Sequence, residues 1–206
     1  MGITSGNNVV LNDTNALALN ASTVTGTLDV TTAGAITDNG VLNVTGAATF
    51  AAGSGNNITL DNTNNFSSVG ITSGNNVSIT DTGDLALNAS TVNGSLTVNT
   101  TGNITQNAAV SVGTTTSLTG NNITLANGGN SFGGNVGFTG ANVSLQDNGA
   151  LGLSASTATG TLSIQAAGAV TQSGAITTGS DATVTATGFD ITLNNASNSF
   201  AGTVGF

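Results

Sequence analysis

The stretch Ile3-Thr-Ser-Gly-Asn-Asn-Val9 returns as Ile71-Thr-Ser-Gly-Asn-Asn-Val77 and, one residue shorter, as Phe138-Thr-Gly-Ala-Asn-Val143. Further blocks keep step with it. Leu17-Ala-Leu-Asn-Ala-Ser-Thr23 recurs from Leu85 and, slightly changed, from Leu151, while Gly55-Asn-Asn-Ile-Thr-Leu60 recurs from Gly120 and decays to Gly188-Phe-Asp-Ile-Thr-Leu193. The chain therefore reads as units at residues 2–69, 70–136 and 137–204, each of 67 or 68 residues, with Gly205 and Phe206 opening a fourth. A fixed period of this size predicts one continuous stack, in which each unit buries its apolar face against its neighbours. Because the period is broken off after two residues, the chain is expected to be a window on a longer array.

Within a unit the apolar residues alternate. Val77 and Ile79, Leu85 and Leu87, Leu96 and Val98, Ile123 and Leu125, and Leu162 and Ile164 stand two apart with small or polar residues between them. That is the period of a half-buried strand. Clusters such as Asp81-Thr-Gly-Asp84 and Asn127-Gly-Gly-Asn130 separate the strands and read as turns. The middle unit holds about nine strand seeds, hence about three coils of three strands, averaging roughly 22 residues each. The fold predicted is all-β, a parallel β-helix whose three repeats make a rod on the order of 43 Å long. An antiparallel sandwich of short strands is the alternative.

Stacked coils give the Asn residues a purpose. At equivalent turns of successive coils, each amide can donate to one neighbour and accept from the other. Asn56, Asn57, Asn75, Asn76, Asn121 and Asn122 are the expected ladder and corner residues, satisfied inside the rod. Corners are expected to use the left-handed backbone that Asn and Gly tolerate. Phe66, Phe132 and Phe200 hold the same place in each unit and are expected to form a column of aromatics in the core.

Charge narrows the functions. Nine Asp are the only charged side chains, for a formal charge of −9. With no Lys or Arg, phosphate cannot be neutralised, which excludes nucleic acid as a partner. Catalysis would need its acid, base or charge stabiliser from Asp alone, so the chain is expected not to be an enzyme. Asp13, Asp81 and Asp147 sit at matching turns and are the weak candidates for a calcium site, although the Gly-Gly-x-Gly-x-Asp repeat of calcium-binding solenoids is absent. No cofactor is otherwise expected. Thr23, Thr25 and Thr27, matched by Thr157, Thr159 and Thr161, raise an ice-binding face, but the middle unit breaks the pattern with Asn93 and Ser95. Rows of Asn and Thr also raise surface glycans as a ligand, and the weak charge raises lateral or end-to-end association with like chains.

The runs Gly55-Asn-Asn-Ile-Thr-Leu60, Gly94-Ser-Leu-Thr-Val-Asn-Thr-Thr-Gly-Asn-Ile-Thr-Gln106 and Gly26-Thr-Leu-Asp-Val-Thr-Thr-Ala-Gly-Ala-Ile-Thr-Asp-Asn-Gly40 resemble the repeat regions of giant bacterial exoproteins. These are the filamentous-haemagglutinin-like adhesins of two-partner secretion and related autotransporter-type surface proteins. The resemblance covers the whole chain and rests on composition and strand spacing. It implies a right-handed β-helix, secreted to the bacterial cell surface, that serves as an extracellular fibre, stalk or adhesin. The amino-terminal secretion segment Asn-Pro-Asn-Gly-Ile of that family does not occur in this sequence.

Overall fold

The computed structural model describes residues 1–206 and consists of strands, turns and bends without a helix. Every strand pairing is parallel, and the strands stack as a β-solenoid of about ten turns, or about three per repeat. At about 4.8 Å per turn the rod is roughly 48 Å long.

One turn shows how residues choose their places. The chain passes through Val77–Asp81, Leu85–Leu87 and Ser90–Val92, and then Leu96 lies beside Val77 and starts the next turn. In Val77–Asp81 the first, third and fifth side chains are buried while Ser78 and Thr80 are partly exposed, because successive side chains of a strand point to opposite faces. The same alternation runs through Leu96–Thr100 and Val143–Asp147. The inward side chains join into one cluster of 44 buried apolar residues extending from Leu19 to Ala186. The three repeats therefore share a single core, with each fully buried aliphatic side chain contributing about 1.5–3 kcal/mol.

Backbone conformation at the corners differs from the expectation. No residue other than glycine has positive φ; Gly53 (83°) and Gly188 (81°) are the only two glycines that do. The corners turn with ordinary right-handed and extended backbone, so tolerance of the left-handed region does not explain the Asn content. Glycine serves instead for close approach between coils. A Cβ on Gly113 would overlap the carbonyl oxygen of Asn93 in the adjacent coil.

The repeat and the coil are out of phase. Val9 pairs with Leu28, which pairs with Ala48, and that ladder continues through Val69–Gly74 into Ser90–Val92, Val110 and Phe132. Val77, the equivalent of Val9, belongs to the ladder of Leu17, Ile36, Ile58 and Leu96. Val143, the next equivalent, belongs to the ladder of Leu85, Ile104, Ile123 and Leu162. Since Val77–Asp81, Leu85–Leu87 and Ser90–Val92 follow one another in a single turn, these are three different faces. From Val77 to its equivalent Val143 the chain thus makes three turns plus one further strand, Val136–Gly140 at the boundary between the second and third units, and hands its pattern to the next face.

Candidate functional site

Polar side chains with defined partners occur at three kinds of place: the joints between repeats, the outer corners and the interior. The joints hold the aspartates. The Phe66 N–H donates to Oδ1 of Asp81 at 2.7 Å and the Gly83 N–H to Oδ2 at 2.8 Å. One repeat later the Phe132 N–H donates to Oδ1 of Asp147 at 2.8 Å and the Gly149 N–H to Oδ2 at 3.1 Å. An Asp at the start of one repeat thereby satisfies a backbone donor at the end of the previous one. Burial raises the pKa of both carboxyls, opposed by these N–H donors, which stabilise the charged form. Asp13 accepts the Asn15 N–H at 2.9 Å.

Asp13, Asp81 and Asp147 lie on three different faces and are not brought together. No group of three acidic, imidazole or thiol side chains occurs anywhere in the chain. The sequence equivalence suggested a shared site; the offset between repeat and coil separates the residues.

The corners carry the Asn ladder. Its longest run crosses five coils. Asn103 donates through Nδ2 to Oδ1 of Asp84 (3.0 Å), Asn122 to Asn103 (2.9 Å) and Asn142 to Asn122 (3.0 Å), and the Thr161 hydroxyl donates to Oδ1 of Asn142 (3.0 Å). The same acceptors also take the backbone N–H of the residue above, as in Asn122 N–H to Asn103 at 3.1 Å. A second run joins Asn57, Asn76 and Ser95, with Oδ1 of Asn57 accepting the Asn76 N–H at 3.1 Å and Oδ1 of Asn76 accepting the Ser95 N–H at 3.0 Å. Asn75 and Asn121 lean into these runs by donating to Asn57 and Asn103. Asn56 caps the carbonyl of Ala52 at 2.8 Å.

These ladders lie at solvent-facing corners and not inside the rod, because the inward positions are taken by Val, Ile and Leu. Asp84, Asn103 and Asn142 belong to them as well; Asn142 stands before Val143 in the third copy of the recurring block, as Asn76 stands before Val77 in the second.

The interior holds a different set. Asn130 is fully buried; its Oδ1 accepts the Val110 N–H (2.9 Å) and Nε2 of Gln106 (2.8 Å), while its Nδ2 donates to Oε1 of Gln106 (2.9 Å) and the Leu125 carbonyl (3.1 Å). Asn198 repeats the arrangement with Gln172 and the Ile176 N–H. In the first repeat Asn64 donates to Oδ2 of Asp38 at 2.7 Å and accepts the Leu42 N–H at 2.8 Å. The sequence carried a signal for this clamp. Asp38, Gln106 and Gln172 each follow an Ile-Thr or Val-Thr pair, and an Asn stands two residues before each of Phe66, Phe132 and Phe200.

The aromatic column does not form. Phe66 and Phe132 are buried and Phe200 is partly buried, but their strand partners are Val44, Val112 and Thr178 on different faces. Phe66 instead meets Phe50 edge to face, with ring centroids 6.1 Å apart and planes at 79°. The Thr triplets are separated in the same way, since Ser22–Val24 pairs with Leu42–Val44 and Ser156–Ala158 with Ile176–Thr178 on another face.

No curated protein and no solved structure matches the chain. A family model does, three times in succession, over residues 6–73, 74–139 and 140–206, and so over nearly all of the three-repeat rod described above. The chain belongs to the DUF5649 family, repeats of unknown function.

Proposed function

We propose that the chain is a noncatalytic structural segment, a rigid β-solenoid rod that spans distance in an extracellular bacterial fibre, stalk or adhesin. The observation that supports it most is the phase of the repeat. Equivalent residues pass from face to face in successive repeats, so what the three repeats have in common is a core, joints and corners rather than one exposed surface. Selection for a binding plane would hold equivalent side chains on one face; selection for a rod needs only that each repeat continue the last. The resemblance to secreted exoprotein repeats supports the location outside the cell.

Immunogold electron microscopy of cells that make the protein tests this reading. Label on filaments or stalks outside the envelope is the expected result. Label confined to the cell interior overturns it.

A further inference from the structure

Only the third repeat places an exposed aromatic beside unpaired amides. Gln146 and Gln165 are neighbours in adjacent coils, and Gln165 is followed by Thr185 in the next. The middle repeat has Thr80, Asn99 and Thr119 at the matching places, and the first has Asn12, Thr31 and Ala51. The side-chain amides of Gln146 and Gln165 have no hydrogen-bond partner within the chain, so both donors and both acceptors face solvent.

Two loops wall this strip. On one side, Asn127–Asn130 is held by Gly129 N–H to Oδ1 of Asn127 (2.9 Å) and Asn130 N–H to the Asn127 carbonyl (3.1 Å), and Gly128 comes close to the Gln146 amide. On the other, the Phe189 N–H donates to the Ala186 carbonyl at 2.9 Å with Gly188 at φ 81°, the glycine position of a type II turn. That turn sets Phe189 out from the rod with 56% of its surface exposed, whereas the first repeat has Asn56 at the corresponding position. The groove between the loops has a volume of about 360 Å³, and Asp147 and Asn148 also line it.

We propose that this groove is a binding subsite for a neutral saccharide. One face of a sugar ring is apolar C–H and its edge is a row of hydroxyls, so an outward phenyl ring beside two free carboxamides matches both surfaces. A cleft of this size with a few convergent polar groups has the build of a small-ligand site. The absence of any cationic side chain and the nearby Asp147 select against acidic sugars. In repeat proteins, changes confined to the loops of one unit are where binding surfaces arise.

The test is a titration of the ¹⁵N-labelled 206-residue chain with chitotetraose, cellotetraose and maltotetraose, using tetragalacturonate as the acidic comparison. The expected result is saturable shifts at the Gln146 and Gln165 side-chain amides and the Phe189 amide with a neutral tetramer. Phe189→Ala is expected to weaken that binding about tenfold, the loss of one aromatic contact. Gln165→Ala is expected to weaken it further than Asn99→Ala, the control on the matching strand position of the middle repeat. No shift with any neutral tetramer, binding by both groove variants as tight as that of the unaltered chain, or tighter binding of tetragalacturonate each overturns the proposal.

Discussion

Asn122 and Asn130 are eight residues apart, chemically identical, and do different work. Asn122 stands at an outer corner and is one rung of a ladder that Asp84 starts and Thr161 ends. Asn130 is fully buried and closes a clamp with the half-buried Gln106. A corner rung that loses its neighbour finds water; a buried amide that loses its neighbour finds nothing. The comparison teaches that the rod's polar interactions divide by the cost of leaving them unmade, and that this cost depends on depth rather than residue type.

The largest effect is expected from Asn130→Ala, which leaves the buried Val110 N–H without an acceptor and deprives the half-buried Gln106 amide of its partner. About 3 kcal/mol of stability is expected to be lost, read by denaturant unfolding, together with loss of hydrogen-exchange protection at Val110. Asn122→Ala removes a rung whose donors can turn to water, and about 1 kcal/mol is expected in the same measurement. If the two variants cost the same, depth is not the deciding variable. Asn56→Ala, which removes donors to the Ala52 carbonyl (2.8 Å) and, weakly, to the Ala33 carbonyl (3.4 Å), both within reach of water once the side chain is shortened, is expected to cost under about 0.5 kcal/mol.

The joint aspartates extend the comparison to pH. Burial raises the folded-state pKa of Asp81 and Asp147 above 3.8, so below neutrality the folded chain binds these protons before the unfolded chain does. Their effect is therefore to make stability rise as pH falls through the folded pKa values, with the gain complete below 3.8. Asp181, lowered by the Thr203 N–H and hydroxyl, works in the opposite direction, and its contribution is lost as pH falls through its folded pKa. Thermal unfolding as a function of pH is expected to show the rise, reduced in the double variant Asp81→Asn with Asp147→Asn. An unchanged pH profile in that variant would remove the joint carboxyls as its source.

Much of the rod was legible in the residues. Alternation at Val77 and Ile79 placed those side chains inside, and the recurrence from Ile3 to Ile71 to Phe138 announced one stack. The Asn ladder was legible as a device but not as a location, because alternation does not say which corner residue of one coil meets which of the next. The clamp was harder still. Gln106 and Asn130 lie 24 residues apart, and although each recurs at a fixed place in the repeat, recurrence does not say that the two side chains meet.

The alternation of two, the turns and the period of 67 or 68 follow from single residues and short blocks along the chain. Only the tertiary structure decided how those periods combine. A turn closes after 19 residues between Val77 and Leu96 and after 20 between Leu96 and Thr116, lengths set by how three faces and their corners pack around a shared core. The repeat is not a whole number of such turns. That remainder of one strand, visible in no single repeat, moves Asp13, Asp81 and Asp147 onto separate faces and keeps Phe66, Phe132 and Phe200 from stacking.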